Sequence, residues 1–219
     1  MIENTRGIVL KNIKYRETSI ITHVFTEHFG LRSYIVSGVR SAKSKKSVAY
    51  FQPFTVLDMT VYNNPSRDIN RLSEWKLVFS ELSIVSDIRK STISIFLTEF
   101  LSKTLAGFDD DSENVFQFLL NSIKELEKIE EAIGLFPLQF MAKFASYLGF
   151  GFENYVSHVE QEMELKLLKI AESPYGTSVG FNYEERQRIL NYILDYYRLH
   201  VEGFGILKSH KILMEVFSG

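Results

Sequence analysis

At 219 residues the chain has room for one large domain or two small ones, with a sizeable core. Apolar residues make up 45% and aromatics 14%, the composition of a folded protein and not of a disordered tail. The absence of cysteine excludes disulfides, thiolate metal sites and cysteine nucleophiles, and fits a cytoplasmic protein. No apolar run approaches the roughly 20 residues that span a bilayer, and "MIENTRGIVLKN" lacks the succession of a secretion signal.

The net charge of −2 hides a division. Residues 1–80 hold twelve Lys and Arg against six Asp and Glu, a balance of +6; residues 81–219 hold thirteen against twenty-one, a balance of −8. Between Glu27 and Asp58 there is no acidic residue, while Arg32, Arg40, Lys43, Lys45 and Lys46 lie inside that window. Such asymmetry points to one half that binds a polyanion and another with a different task.

The first half reads as strands. "RGIVLKNIKY", "IITHVFTE", "LRSYIVSG", "FTVLDMTVY" and "INRLSEWKLVF" are short and rich in Ile, Val, Thr, Tyr and Phe. Tyr34 and Val36 alternate with Ser33, Ile35 and Ser37, which gives the third strand two distinct faces. "EHFGL" around Gly30 and "NNPSRD" with Pro65 read as turns. Five strands in about 80 residues suit a small barrel, of which the OB-fold is the commonest five-stranded form. The run "SGVRSAKSKKS" (37–47) then becomes the long connection between strands three and four.

Near Leu82 the period changes. Ile88, Ile95, Leu97, Phe100, Leu101 and Leu105 recur at helical spacing up to Gly107. Asp109, Asp110 and Asp111 precede a second helix over 115–129, where carboxylates complement the macrodipole. A third helix spans 135–148 and stops at Gly149, and "VEQEMELKLLKIAE" is a candidate fourth. Asn182 and Glu185 form a capping box for a helix ending near His200, and a last one covers 207–217. The expected fold is therefore α+β in two domains, an OB barrel over 1–80 and a helical bundle over 81–219.

Linear motifs for catalysis are absent. The histidines at 23, 28, 158, 200 and 210 never fall at a metal-ligand spacing. "GFGILKS" fails the phosphate-loop spacing and follows a helix instead of a strand. "LGFGFENY" imitates an RNA-recognition signature, but Leu148 and Glu153 are wrong for it, and it reads better as a helix end with buried Phe150 or Phe152. No triad and no pair of catalytic carboxylates can be assembled, so the expectation is a protein that is not an enzyme and has no cofactor.

Five ordered blocks carry a family resemblance: Gly7 to Leu10; Tyr15, Glu17 and Ser19; Val24 to Glu27 with Gly30; Gly38 to Arg40 with Lys43 and Ser44; and Gln52-Pro53-Phe54. Together they resemble the opening domain of the recombination mediator family RecO, and "YYRLHVEGFGILKSHKILMEV" is similar to its last helices. The resemblance implies an OB-fold followed by helices, and a non-enzymatic role in DNA repair. It implies binding of single- and double-stranded DNA, annealing of complementary strands, and loading of RecA, together with RecR, onto DNA coated by single-strand-binding protein. Many members carry a four-cysteine zinc element. This chain has no cysteine, and "ESPYGTSVGFNYEE" reads as its metal-free remnant.

On that reading Arg40, Lys43, Lys45 and Lys46 supply a basic loop, and Lys11, Lys14, Arg16 and Arg32 extend a track along the barrel. Tyr34 and Tyr15 are the candidates for base stacking, each with the alternative of being core. The acidic helical half is assigned to protein partners, with Lys103, Lys143 and Arg186 as candidate contacts for the acidic tail of single-strand-binding protein. The rival readings are a protein-binding adaptor and a nonspecific RNA-binding module.

Overall fold

The computed structural model describes residues 1–41, 48–79, 83–108, 111–152 and 161–217. Five strands come first: β1 (Ile2–Tyr15), β2 (Ser19–Thr26), β3 (Gly30–Val36), β4 (Val56–Tyr62) and β5 (Ile69–Leu77). They close in the order β1-β2-β3-β5-β4, with β3 parallel to β5 and every other pair antiparallel. This is the five-stranded OB barrel. Closure depends on the length of β1, whose first half pairs with β4 and whose second half pairs with β2. A register shift between Val9 and Lys11 bends it where the two pairings meet.

Gly7 sits at that crossing. A Cβ there would lie 2.4 Å from Met59 Cε and 2.5 Å from Val24 Cγ1, so only glycine lets the strands approach. Alternation then sorts the side chains. Val9, Ile20, Val24, Tyr34, Val36, Leu57, Met59, Val61 and Leu72 fill the barrel. Ile8, Leu10, Phe25, Phe54 and Val56 belong instead to the apolar cluster built by the helices. The outer side of the barrel thus packs into the helical core, while its interior keeps an apolar cluster of its own.

Seven α-helices follow among the described residues: α1 (Ser83–Ser86), α2 (Ile88–Thr104), α3 (Ser112–Lys128), α4 (Phe136–Tyr147), α5 (Gln161–Glu172), α6 (Tyr183–His200) and α7 (His210–Val216). Asp87 separates α1 from α2 with extended backbone and caps the latter through Arg89 N–H. Phe100 on α2 is the aromatic hub, edge-on to Phe140 and Phe144 of α4, Tyr197 of α6, and Phe204. Asn182 and Glu185 make the expected capping box, and Gly149 (φ +83°) follows α4.

Three helix starts differ from the periodicity. α3 begins at Ser112, three residues before Val115, because Asp111 caps it through Asn114 N–H. α4 begins at Phe136 because a 3-10 turn over Ile133–Leu135 precedes it and Pro137 fits its first turn. α7 begins at His210 because Glu99 of α2 accepts the backbone N–H groups of Lys208 and Ser209 (2.9 and 2.8 Å), holding those residues out of the helix. Between β3 and β4 the described residues contain a 3-10 turn, Val48–Phe51, whose Phe51 plugs the barrel against Trp75. Phe152 is buried and Phe150 packs against the helical core, as expected for a helix end.

Candidate nucleic-acid interface

The strand register decides which of the expected residues can act together. Lys14 lies near the end of β1, and Arg16 occupies the β1–β2 turn in the left-handed region (φ +52°). The Arg16 guanidinium carbon stands 5.2 Å from the Tyr15 ring centroid. Arg40 donates from Nη1 to the carbonyl of Arg16 and from its backbone N–H to that of Thr18, both at 3.0 Å. The turn and the start of the β3–β4 connection are therefore bound together, and three cations gather at one end of the barrel. Lys43, Lys45 and Lys46 lie outside the described residues.

Lys11 occupies a different place. It is exposed on the outer face of β1, paired across from His23. It also borders an open depression of about 650 Å³ at the junction of barrel and helices, together with Lys103, Lys208 and the apolar Ile95 and Ile212. His23 Nδ1 is 2.9 Å from Ser33 Oγ on β3. Partial burial and the neighbouring Lys11 hold the His23 pKa below its ordinary value.

Two expectations need correction. Tyr34 is 0% exposed and pairs with buried Thr22 inside the barrel, so it has no ring face to offer a base. Its hydroxyl has no hydrogen-bond partner, and burial pushes its pKa up. Arg32 pairs with Val24 on the same inward register, four residues down β3 from the basic end, or roughly 13 Å. It senses Tyr34 and donates to its neighbour's carbonyl, the Leu31 oxygen. Arg32 is not part of a track with Lys14, Arg16 and Arg40. Alternation puts Tyr34 inside, whereas Arg32 shares its register but stays half-buried toward the other end of β3.

Periodicity alone did not single out three other side chains. Arg71 of β5 pairs with Ile35 of β3 on one side and Tyr62 of β4 on the other. Its guanidinium carbon lies 5.8 Å from the Tyr62 ring centroid. Arg67 projects from the β4–β5 turn beside them. Among the described residues none of Lys11, Lys14, Arg16, Arg32, Arg40, Arg67 and Arg71 forms an ion pair with a carboxylate, in contrast with Arg6–Glu27 and Lys76–Asp58 in the same barrel.

The partner contacts expected on the helices separate in the same way. Lys143 is spent internally, donating to the Ala171 carbonyl 5.6 Å from the Tyr175 ring. Arg186 borders a narrow apolar pocket closed by Phe217. Lys103 remains at the open junction. Among the described residues no three His, Asp or Glu side chains form a metal cluster, and no helix is long and apolar enough to cross a membrane.

Comparison with known proteins agrees with this architecture. Residues 1–80 match the family described as Recombination protein O N terminal, and residues 85–161 match Recombination protein O C terminal. A DNA repair protein RecO of Azobacteroides pseudotrichonymphae is 31% identical, with 99% of this chain and all of that protein covered. The one from Phocaeicola vulgatus is 31% identical with both chains fully covered, and that of Flavobacterium psychrophilum is 32% identical over 98% of each. With both halves matched and the relatives aligned from end to end, the chain belongs to the RecO family of DNA repair and recombination proteins.

Proposed function

We propose that the basic end of the barrel binds the sugar-phosphate backbone of single- and double-stranded DNA. The observation that carries this reading is the convergence of Lys14, Arg16 and Arg40 on the β1–β2 turn, without carboxylate partners among the described residues. The same connection continues into Lys43, Lys45 and Lys46. Each cation that neutralises a phosphate releases counterions, so affinity falls steeply with salt. A basic surface that screens two strands at once also promotes annealing, with no catalytic group and no metal.

In this reading the protein works in the cytoplasm at the nucleoid, where it acts with RecR to help load RecA onto DNA coated by single-strand-binding protein. The acidic helical half meets protein partners. Lys103, with Ile95 and Ile212 exposed beside it, combines a cation with aliphatic contacts and is the preferred contact for the tail of single-strand-binding protein.

The test is fluorescence anisotropy with labelled single-stranded DNA at two salt concentrations, for the parent and for Lys43→Glu/Lys45→Glu/Lys46→Glu. Salt-sensitive binding that the triple variant loses supports the reading. A parent that does not bind at low salt removes it and leaves the adaptor, and stronger binding of RNA of the same sequence favours the RNA module. Annealing rates with single-strand-binding protein present separate a mediator from a passive binder.

A further inference from the structure

We infer that the β4–β5 turn is a subsite for one unpaired nucleotide, with Tyr62 as its stacking surface and Arg67 and Arg71 as its phosphate contacts. This rests on the reading of the barrel as a nucleic-acid binder and specifies where, away from the basic loop, a single strand is told from a duplex.

The geometry is that of a small open depression of about 450 Å³, walled by Tyr62, Asn63, Arg67, Asn70, Arg71 and Ile35. Tyr62 is 44% exposed although it ends a barrel strand, so an aromatic surface is held out to solvent. Arg71 sits against that ring, an arrangement that suits a base packed on the ring or on the planar guanidinium. Neither arginine is drawn away by a carboxylate among the described residues, Asp68 of the same turn included.

The turn is also built in advance. Asn64 N–H donates to Asn70 Oδ1 at 2.8 Å, Asn64 Oδ1 accepts from Ser66 N–H at 3.0 Å, and Arg67 N–H donates to the Asn64 carbonyl at 3.1 Å. Asn63 N–H and carbonyl both bond the first residue, Met1. A ligand arriving here meets an ordered loop and gives up less entropy in binding.

The register connects this site to the basic end. Arg71 pairs with Ile35, Ile35 with Ile21, and Ile21 lies three residues from the β1–β2 turn, with two strand spacings of roughly 10 Å in between. The outer face on that path carries the half-buried Ile21 and Ile35, aliphatic rather than aromatic, so the rings stand at its two ends, Tyr15 beside Arg16 and the more exposed Tyr62 beside Arg71. In a duplex the base faces are already stacked on one another. The platform therefore serves only an unpaired base, in DNA or RNA.

The experiment compares the parent with Tyr62→Leu, which keeps bulk on β4 without a π face, and with Tyr62→Phe, using oligo-dT, oligo-rU and a DNA duplex of equal length. Unfolding midpoints confirm that each variant is folded. Tyr62→Leu should weaken single-strand affinity five- to hundredfold and duplex affinity less than twofold, while Tyr62→Phe stays near the parent. Arg67→Gln and Arg71→Gln should each lower the salt slope on oligo-dT by about one. Comparable losses on oligo-dT and oligo-rU assign the site to any single strand, and loss on one alone assigns it to that polymer. A Tyr62→Leu variant that binds single strands like a parent with measurable affinity, or that weakens duplex equally, overturns the subsite and leaves the basic-end reading intact. A parent that binds no nucleic acid overturns both.

Discussion

Arg6 of β1 and Glu27, the residue after β2, form a two-pronged ion pair in which Arg6 Nε donates to Glu27 Oε2 at 2.8 Å and Nη2 to Oε1. Glu27 also receives Gln117 Nε2 of α3 at 3.0 Å, its backbone carbonyl receives Ser112 Oγ at 3.0 Å, and Arg6 lies over the Phe116 ring. One carboxylate thus ties two strands to the helix packed on them. The hydrogen bond from Arg6 holds the Glu27 pKa below its ordinary value, against partial burial that would raise it.

Because the folded pKa is depressed, the stabilisation is fully present above the unfolded value near about 4.3 and is lost as pH falls through the folded one. Glu27→Gln should lower stability at pH 7 by about 1–2 kcal/mol, since Arg6 is a third exposed and screened. Urea unfolding of parent and variant between pH 7 and pH 3 checks this. The gap should close as the medium becomes acidic, and a gap that stays constant would mean that the ion pair contributes nothing.

Gly7 makes a second prediction. Its missing side chain lets Met59 and Val24 meet across the barrel, with a Cβ placed 2.4 and 2.5 Å from them. Met59 can swing aside, whereas Val24 is fixed at χ1 on its strand. Gly7→Ala should cost about 1–3 kcal/mol and lower the melting temperature by roughly 2–4 °C per kcal/mol. An unchanged melting temperature would show that the barrel yields at this crossing.

These two residues also show what could be read in advance. Gly7, Glu27 and Gly30 all lie in the blocks that carried the family resemblance, yet their reasons are three-dimensional: a strand crossing, a latch to α3, and a turn at φ +64°. Phe54 of the Gln-Pro-Phe block is similar, a buried phenylalanine held at φ +65°. Strand and helix periods were legible because each element buries one face. Tyr34 was not, because β3 carries apolar residues on both faces, Leu31 and Ile35 against Tyr34 and Val36, and alternation cannot say which face is inside. Tyr62 and Arg71 meet only because β4 pairs with β5 in the closed barrel, a relationship that no linear spacing announces.

Tyr34 itself yields a prediction of opposite sign to most core changes. Its hydroxyl is buried without a partner, and an unsatisfied polar group inside a barrel opposes folding. Tyr34→Phe keeps the ring and removes that group. Stability should stay level or rise by up to about 1 kcal/mol, with DNA affinity unchanged. A marked loss of single-strand binding in this variant would restore Tyr34 to the interface and undo its placement in the core.

His23 links the barrel's pH response to its ligand. Burial first, and then Lys11 across the β1–β2 pair, depress its pKa, while Ser33 faces it from β3. The unfolded chain takes up the proton more readily, so in the free protein stability falls as pH drops below about 6.5. A phosphate strand bound beside Lys11 reverses the local field and favours the charged imidazole. By linkage, affinity for DNA should then rise as pH falls from 7.5 to 6, the opposite trend to stability. Anisotropy titrations and thermal melts at constant ionic strength, on the parent and on His23→Gln, measure both slopes. If His23→Gln keeps the full pH dependence of binding, the strand does not pass over this face of the barrel, and its path from the β1–β2 turn must be sought on the other side.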